Sequence, residues 1–79
     1  MEKIAIAGGG SWGSALANLL VDNHHDVLIY DLDQSLVDEI NTNHTNQTKL
    51  GDVVLNEGVH ATSDLSALIE FSNIIVLAV

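Results

Sequence analysis

Short apolar runs alternate with longer stretches of mixed polarity along the whole chain. Four of these runs are predicted strands, and a run without a strict apolar–polar alternation, such as the first, is typical of a parallel strand that is covered on both faces. The four runs are Lys3–Ala7, Val27–Tyr30, Val59–Thr62 and Ile74–Val79. The last run is the most strand-like segment of the sequence.

Each pair of successive runs is separated by a stretch with apolar residues at helical spacing. The apolar positions are Trp12, Ala15, Leu16, Leu19 and Leu20 in the first stretch, Leu36, Val37 and Ile40 in the second, and Leu65, Leu68 and Ile69 in the third. Asp33 or Ser35 can cap the second helix, and Ser63 followed by Asp64 can start the third. The segment Asn41–Gly58 has a weak pattern and begins with polar residues, so we predict a loop there, with Val53–Leu55 against the core.

The order of elements is therefore βαβαβαβ, which predicts an α/β fold with a parallel sheet and right-handed crossovers. A four-stranded sheet in the order 3-2-1-4, flanked by helices, is the usual arrangement in half of a Rossmann-type domain. The 79 residues suffice for one small domain at most.

The charge balance restricts the partners of the chain. Two Lys, no Arg and 11 acidic residues give a net charge of −9. Nucleic acids and anionic membrane surfaces require clustered cations, and no apolar run approaches the roughly 20 residues of a membrane-spanning helix. We therefore expect a cytoplasmic protein without nucleic-acid or membrane partners, which would bind an anion through backbone N–H groups.

Metal chemistry is not expected either. The chain has no Cys, which excludes a thiolate metal site. We expect His24 and His25 in a turn with diverging rings, and His44 and His60 at the surface.

A glycine-rich motif follows the first predicted strand. Residues Gly8–Gly13 have the pattern G-x-G-x-x-G between a predicted strand and a predicted helix, the context in which it indicates a dinucleotide-binding loop. Gly8 permits a sharp turn, Gly10 lets the pyrophosphate approach the backbone, and Gly13 lets the helix lie close to the strand. The phosphates would meet free N–H groups and the positive end of the helix dipole. A flexible glycine-rich turn without a ligand is the less favoured alternative.

An acidic residue after the second predicted strand is an independent indication. Asp31 lies 18 residues after Gly13, close to the spacing of about 20 at which a carboxylate accepts hydrogen bonds from the adenosine ribose. This carboxylate would repel a 2′-phosphate, and no Arg is available to bind one, so the sequence favours NAD over NADP. Alternatively Asp31 only caps the next helix, a role that Asp33 fits better.

The pair Ser11–Trp12 is more specific than the glycines around it. The segment Ile6–Ala17 resembles the opening of bacterial NAD(P)-dependent glycerol-3-phosphate dehydrogenase, whose signature is Gly-x-Gly-Ser-Trp-Gly-Thr-Ala. The resemblance covers all 79 residues and continues through Asn23–Val27, Glu39–Asn41, His44–Asn46, Thr62–Leu65 and Ile74–Val79. It implies that Ser11 and Trp12 contact the cofactor phosphates. The expected cofactor-binding residues are thus Gly8, Gly10, Ser11, Trp12, Gly13, Asp31 and Leu32.

Two departures from the family pattern are visible. The family commonly has an Arg after the second strand, where this chain has Asp31, Leu32 and Asp33, which again favours NAD. Lys49–Gly51 stands in place of a Tyr-Leu-Pro turn that is frequent in the family.

The resemblance implies reduction of dihydroxyacetone phosphate to glycerol 3-phosphate, a precursor of phospholipids. In that family the cofactor domain continues and is followed by a helical substrate domain with the catalytic lysines. Residues 1–79 are thus expected to be the N-terminal part of the NAD-binding domain, with no catalytic residue and no turnover alone. We expect copies to associate through Ile74–Val79, an apolar strand at a sheet edge, or through helix faces that are left bare. Alternatives are a module of another Rossmann enzyme, either a dehydrogenase or a methyltransferase, and a non-catalytic interaction protein.

Overall fold

The structure of the chain, a computed structural model, describes residues 2–78. Its strands are β1 (Lys3–Ala7), β2 (Asp26–Tyr30), β3 (Val59–Thr62) and β4 (Ile74–Leu77), and its helices are α1 (Ser11–Asp22), α2 (Gln34–Asn43), α3 (Gln47–Leu50) and α4 (Leu65–Phe71). All strand pairs are parallel, and the sheet order is β3-β2-β1-β4. The predicted fold class and strand order are confirmed, whereas Val79 of the last predicted strand lies outside the described residues.

The central strands carry the core because both of their faces are covered. The chain moves from β1 to β2 to β3 in one direction and returns across the sheet to β4, so right-handed crossovers place α1 and α2 on one face and α4 on the other. Ala5 and Ile6, whose side chains point to opposite faces, are both fully buried, as is Ile29 in β2. This burial on both faces explains why β1 has no polar alternation, whereas in β3 the exposed His60 lies between the buried Val59 and Ala61. At the sheet edge, Ile74 and Ile75 of β4 are 44% and 45% exposed.

The face of α1 that contacts the sheet differs from the predicted apolar stripe. The buried residues of α1 are the small ones, Gly13, Ser14 and Ala17, while Trp12 and Leu19 are 61% and 58% exposed. Small side chains let a helix axis approach a sheet closely, and here that approach outweighs the burial of larger apolar side chains. The predicted stripe is therefore wrong at Trp12 and Leu19, although its members Leu16 and Leu20 pack against the core. The close approach of the helix expected at Gly13 is confirmed.

The loop predicted for Asn41–Gly58 is also wrong in part. Helix α2 continues to Asn43, and α3 forms a further turn. Glu39 joins the two helices, because its Oε2 accepts hydrogen bonds from Thr45 Oγ1 at 2.6 Å and from the Gln47 N–H at 2.8 Å. These bonds hold the two helices together, although Asn41–Asn43 at the end of α2 have weak helix propensity.

Three smaller expectations in and after this segment are corrected. His44 ends α2 with a left-handed φ of 57° and is half-buried rather than at the surface. Of Val53–Leu55 only Leu55 is buried. The N-cap of α4 is Asp64 rather than Ser63. No helix within residues 2–78 is long and apolar enough to cross a membrane.

Candidate functional site

Two glycines of the motif are explained by the turn and by close packing. Gly8 follows β1 with φ +127°, a conformation that residues with a side chain rarely adopt, and a Cβ there would overlap the carbonyl oxygen of Ala78. A Cβ on Gly13 would overlap the carbonyl oxygen of Gly8. The first turn of α1 can therefore lie directly on the loop only because position 13 has no side chain.

Gly10 is different, because nothing in the described part of the chain requires a glycine there. Its backbone angles, φ −72° and ψ −172°, are ordinary for any residue. A Cβ added to Gly10 would have no heavy atom within 4 Å, apart from those of Gly10 itself and its two neighbours in the chain. The space beside Gly10 is open, so a ligand can approach its backbone, and this position fits a phosphate.

The amino end of α1 presents N–H groups towards the same region. Gly10 is the N-cap and offers no side-chain acceptor, and the first turn contains no acidic residue. Within residues 2–78, the backbone N–H groups of Ser11, Trp12 and Gly13 have no hydrogen-bond acceptor. Such N–H groups, together with the positive end of the helix dipole, bind anions without any side-chain cation. In a chain with two Lys and no Arg, this is the available means of holding a pyrophosphate.

Asp31 lies beside the glycine loop at the carboxyl end of β2. Its Oδ2 accepts a hydrogen bond from the Gly9 N–H at 2.9 Å, and its Oδ1 accepts one from the Asp33 N–H at 2.9 Å. The cap of α2 is Asp33, whose carboxylate accepts from the N–H groups of Ser35 and Leu36. Asp31 is therefore not the cap, and since a carboxylate oxygen has two acceptor positions, both of its oxygens can still accept from a ribose.

A cavity of about 350 Å³ adjoins the loop and Asp31. It is lined by Ala7, Gly8, Tyr30, Asp31, Leu32 and Leu77, so it lies across the carboxyl ends of β2, β1 and β4. Leu32 is 82% exposed and supplies apolar surface next to the Asp31 carboxylate. The structure thus places Gly8, Gly10 and Gly13 together with Asp31 and Leu32 around one end of the sheet.

One residue that contacts the glycine loop was missed from the sequence. Asn46 is fully buried, and its Nδ2 donates to the carbonyl oxygen of Gly9 at 2.8 Å and to Ser14 Oγ at 2.9 Å. It lies in the polar segment predicted to be a loop, 37 residues from Gly9. The only signal for it was its place in a segment that resembles the family, His44–Asn46.

The remaining candidates do not join this site. Lys3 begins β1 and therefore lies at the opposite end of the sheet, and Lys49 lies on α3. His24 is in the turn after α1, with φ 69°. Among the described residues no group of three or more His, Asp or Glu side chains could hold a metal ion.

Comparison with known proteins identifies the family. The sequence profile described as NAD-dependent glycerol-3-phosphate dehydrogenase N-terminus matches residues 3–79. A glycerol-3-phosphate dehydrogenase (NAD(P)+) of Limosilactobacillus fermentum is 43% identical over all 79 residues of the chain, which cover 23% of that protein. The Staphylococcus aureus strain JH9 enzyme of the same name is 46% identical over 99% of the chain and 24% of its own length. The chain thus spans about a quarter of the curated relatives that it matches.

Solved structures agree with these matches. A glycerol-3-phosphate dehydrogenase from Coxiella burnetii has a TM-score of 0.86 and 33% identity over 95% of this chain and 23% of that one. One from Saccharomyces cerevisiae has a TM-score of 0.85 over 98% of this chain and 26% of that one. The second is only 24% identical and supports the fold alone. The chain belongs to the NAD-dependent glycerol-3-phosphate dehydrogenase family, whose N-terminal sequence profile it matches over residues 3–79.

Proposed function

We propose that this chain binds the pyrophosphate and the adenosine ribose of a nicotinamide dinucleotide, as the cofactor-binding part of a glycerol-3-phosphate dehydrogenase. The observation that carries this proposal is the open space at Gly10, a glycine that neither its backbone angles nor its neighbours require. The N–H groups of Ser11, Trp12 and Gly13, which have no acceptor within residues 2–78, are available to an anion placed there. When bound, the cofactor supplies the hydride for the reduction of dihydroxyacetone phosphate to glycerol 3-phosphate.

The residues around the loop have separate roles in this proposal. The N–H groups at the amino end of α1 hold the phosphates, and the exposed side chains of Ser11 and Trp12 flank them. Asp31 accepts hydrogen bonds from the ribose hydroxyls, while Leu32 offers apolar surface for the base. None of these residues transfers a proton, so their contribution is binding and orientation.

NAD is the proposed cofactor in preference to NADP. A 2′-phosphate on the adenosine ribose would lie next to the Asp31 carboxylate and be repelled by it. Lys49 lines a small cavity of about 80 Å³ near the start of α2, but the Asp33 and Glu39 carboxylates line the same cavity. The local charge therefore disfavours a second phosphate.

Turnover is not expected from these residues alone. Lys3 begins β1, at the end of the sheet opposite the glycine loop, and Lys49 lies on α3. Purified residues 1–79 should therefore not oxidise NADH in the presence of dihydroxyacetone phosphate, and a rate above the buffer control would contradict this. We also propose a cytoplasmic location for the protein, which cell fractionation tests.

Titration with three ligands tests the binding proposal. Trp12 is the single tryptophan of the chain and lies in the first turn of α1, so its fluorescence should change when a ligand occupies the loop. NADH and ADP-ribose should both bind by fluorescence and by calorimetry, because both contain the pyrophosphate and the adenosine ribose. S-adenosylmethionine, the ligand of a methyltransferase, should not. Binding of S-adenosylmethionine alone, or of none of the three, would refute the proposal.

A further inference from the structure

Three parts of the chain hold Gly9 through its N–H and its carbonyl oxygen. On the amino side, the Gly9 N–H donates to Asp31 Oδ2. The Gly9 carbonyl oxygen accepts from Asn46 Nδ2 at 2.8 Å and from Ser14 Oγ at 3.3 Å. The end of β2, the first turns of α1 and the segment after α2 therefore all act on one residue of the loop.

Fixing this carbonyl also fixes the direction of the next N–H group. The chain has no cis peptide bond among its described residues, and in a planar trans peptide the C=O and the N–H point in opposite directions. The Gly9 carbonyl points into the protein, towards the fully buried Asn46. The Gly10 N–H therefore points outward, away from Asn46.

A glycine pair needs such support, because a peptide between two glycines can rotate without the steric penalty of a side chain. Rotation by half a turn would direct the Gly9 carbonyl oxygen outward and repel a phosphate. It would also break the bonds to Asn46 and Ser14. Asn46 Oδ1 is buried without a hydrogen-bond partner among the described residues. The hydrogen bonds of this side-chain amide are therefore those that its Nδ2 donates.

We propose that Asn46 is a positioning residue for cofactor binding, which acts through the Gly9 carbonyl to keep the Gly10 N–H directed at the pyrophosphate. This inference rests on the proposed function, since it assumes that a phosphate occupies the open space at Gly10. Ser14 supports the same carbonyl over a longer hydrogen bond and has a smaller share of the effect.

The test compares two ligands on the whole 79-residue chain. ADP-ribose contains the pyrophosphate, and adenosine does not. Asn46→Leu, which removes the donor but keeps a similar volume, should lower the affinity for ADP-ribose about tenfold or more, the typical effect of losing a hydrogen bond to a charged group. It should change the affinity for adenosine much less, and the Gly10 amide signal in a ¹H–¹⁵N NMR spectrum should shift without any ligand.

Asn41→Leu is the matched control. Asn41 Nδ2 donates to the Ala61 carbonyl at 2.9 Å, and its Oδ1 accepts from the Ala61 N–H at 2.8 Å, so it ties α2 to β3 without touching the glycine loop. If a variant only destabilises the fold, it lowers the affinity for both ligands in the same proportion. Asn41→Leu should therefore leave the ratio of the two affinities unchanged.

The outcomes separate the two proposals. If the parent chain does not bind ADP-ribose, the proposed function fails and this inference fails with it. If the parent binds and Asn46→Leu keeps the parent ratio of affinities, the positioning role alone is overturned. Should Asn46→Leu not fold, Ser14→Ala carries the test, because it removes a small group and should still lower the ratio by a few-fold; an unchanged ratio there overturns the inference too.

Discussion

Replacing Gly10 with alanine should separate cofactor binding from folding. The backbone angles of Gly10 suit alanine, and a new methyl group meets no heavy atom within 4 Å. Alanine restricts the unfolded chain, which stabilises by about 0.4–1 kcal/mol, but it is a poorer N-cap than glycine by up to about 1 kcal/mol. Because these effects oppose each other, we expect the free energy of unfolding in urea, followed by circular dichroism, to change by less than about 1 kcal/mol.

The same methyl group should strongly weaken the binding of NADH. It occupies the space through which the phosphate approaches the loop and interferes with hydrogen bonds to a charged group, each worth about 1.5–3 kcal/mol. Loss of one such bond lowers the affinity measured by calorimetry about tenfold or more. An alanine variant that folds normally and binds NADH as tightly as the parent would show that no phosphate lies at Gly10.

Gly13→Ala is the matched control for this experiment. Its Cβ would overlap the carbonyl oxygen of Gly8, a backbone atom that cannot turn away as a flexible side chain can. Overpacking of this kind costs about 1–3 kcal/mol, so Gly13→Ala should lose stability where Gly10→Ala does not. Equal losses of stability in the two variants would refute the distinction between a packed and an open glycine.

Three further predictions concern charge, pH and association. Asp31→Asn removes a negative charge from the ribose site. Because two unit charges 4 Å apart repel by about 1 kcal/mol in water, the preference for NADH over NADPH should shrink about fivefold. An unchanged ratio of the two affinities would count against the role of Asp31. The pKa of Glu39 is held below its usual value by hydrogen bonds from the Thr45 hydroxyl and the Gln47 N–H, so the resulting stability is present above the usual pKa of about 4.3 and is lost as the pH falls through the lower folded value. Urea midpoints should thus fall between pH 5 and pH 3, less steeply in Glu39→Gln, and parallel curves would contradict this. We also propose that copies associate through the exposed edge of β4. Light scattering should detect this association most clearly at about 1 M salt, where the Debye length is only about 3 Å and the charge of −9 is screened. Ile75→Lys should prevent the association, and a parent chain that stays monomeric at high concentration would exclude it.

The parts of the fold that follow from local pattern could be predicted from the sequence. Strand β1 lacks polar alternation because Ala5 and Ile6, on its opposite faces, are both fully buried. Parallel strands need crossover helices, and the spacing of the apolar residues gave three of these helices. Strand order then followed from the usual arrangement of such units rather than from any single residue.

The side of α1 that contacts the sheet could not be predicted from apolar spacing. Hydrophobic periodicity assumes that the largest apolar side chains are buried, whereas Gly13 and Ala17 bring α1 so close to the sheet that Trp12 and Leu19 remain exposed. Helix α3 was missed for a related reason. A single turn of four residues is too short to show a periodic pattern, and the bonds from Thr45 and Gln47 to Glu39 become visible only when the chain is folded.

The contacts of Gly9 show why Asp31 could be found from the sequence and Asn46 could not. Parallel pairing of β1 with β2 places Ala7 beside Tyr30, so the next residues along each strand, the glycine loop and Asp31, must meet. Their separation along the chain is therefore set by the length of one strand–helix–strand unit, and it can be recognised as a spacing. Asn46 reaches the same residue from beyond α2, through a segment whose length no strand pairing fixes. Its proposed role depends on the direction of its buried side-chain amide, which donates to the Gly9 carbonyl oxygen. That direction is fixed only in the folded chain, so the polar sequence around Asn46 gives no sign of it.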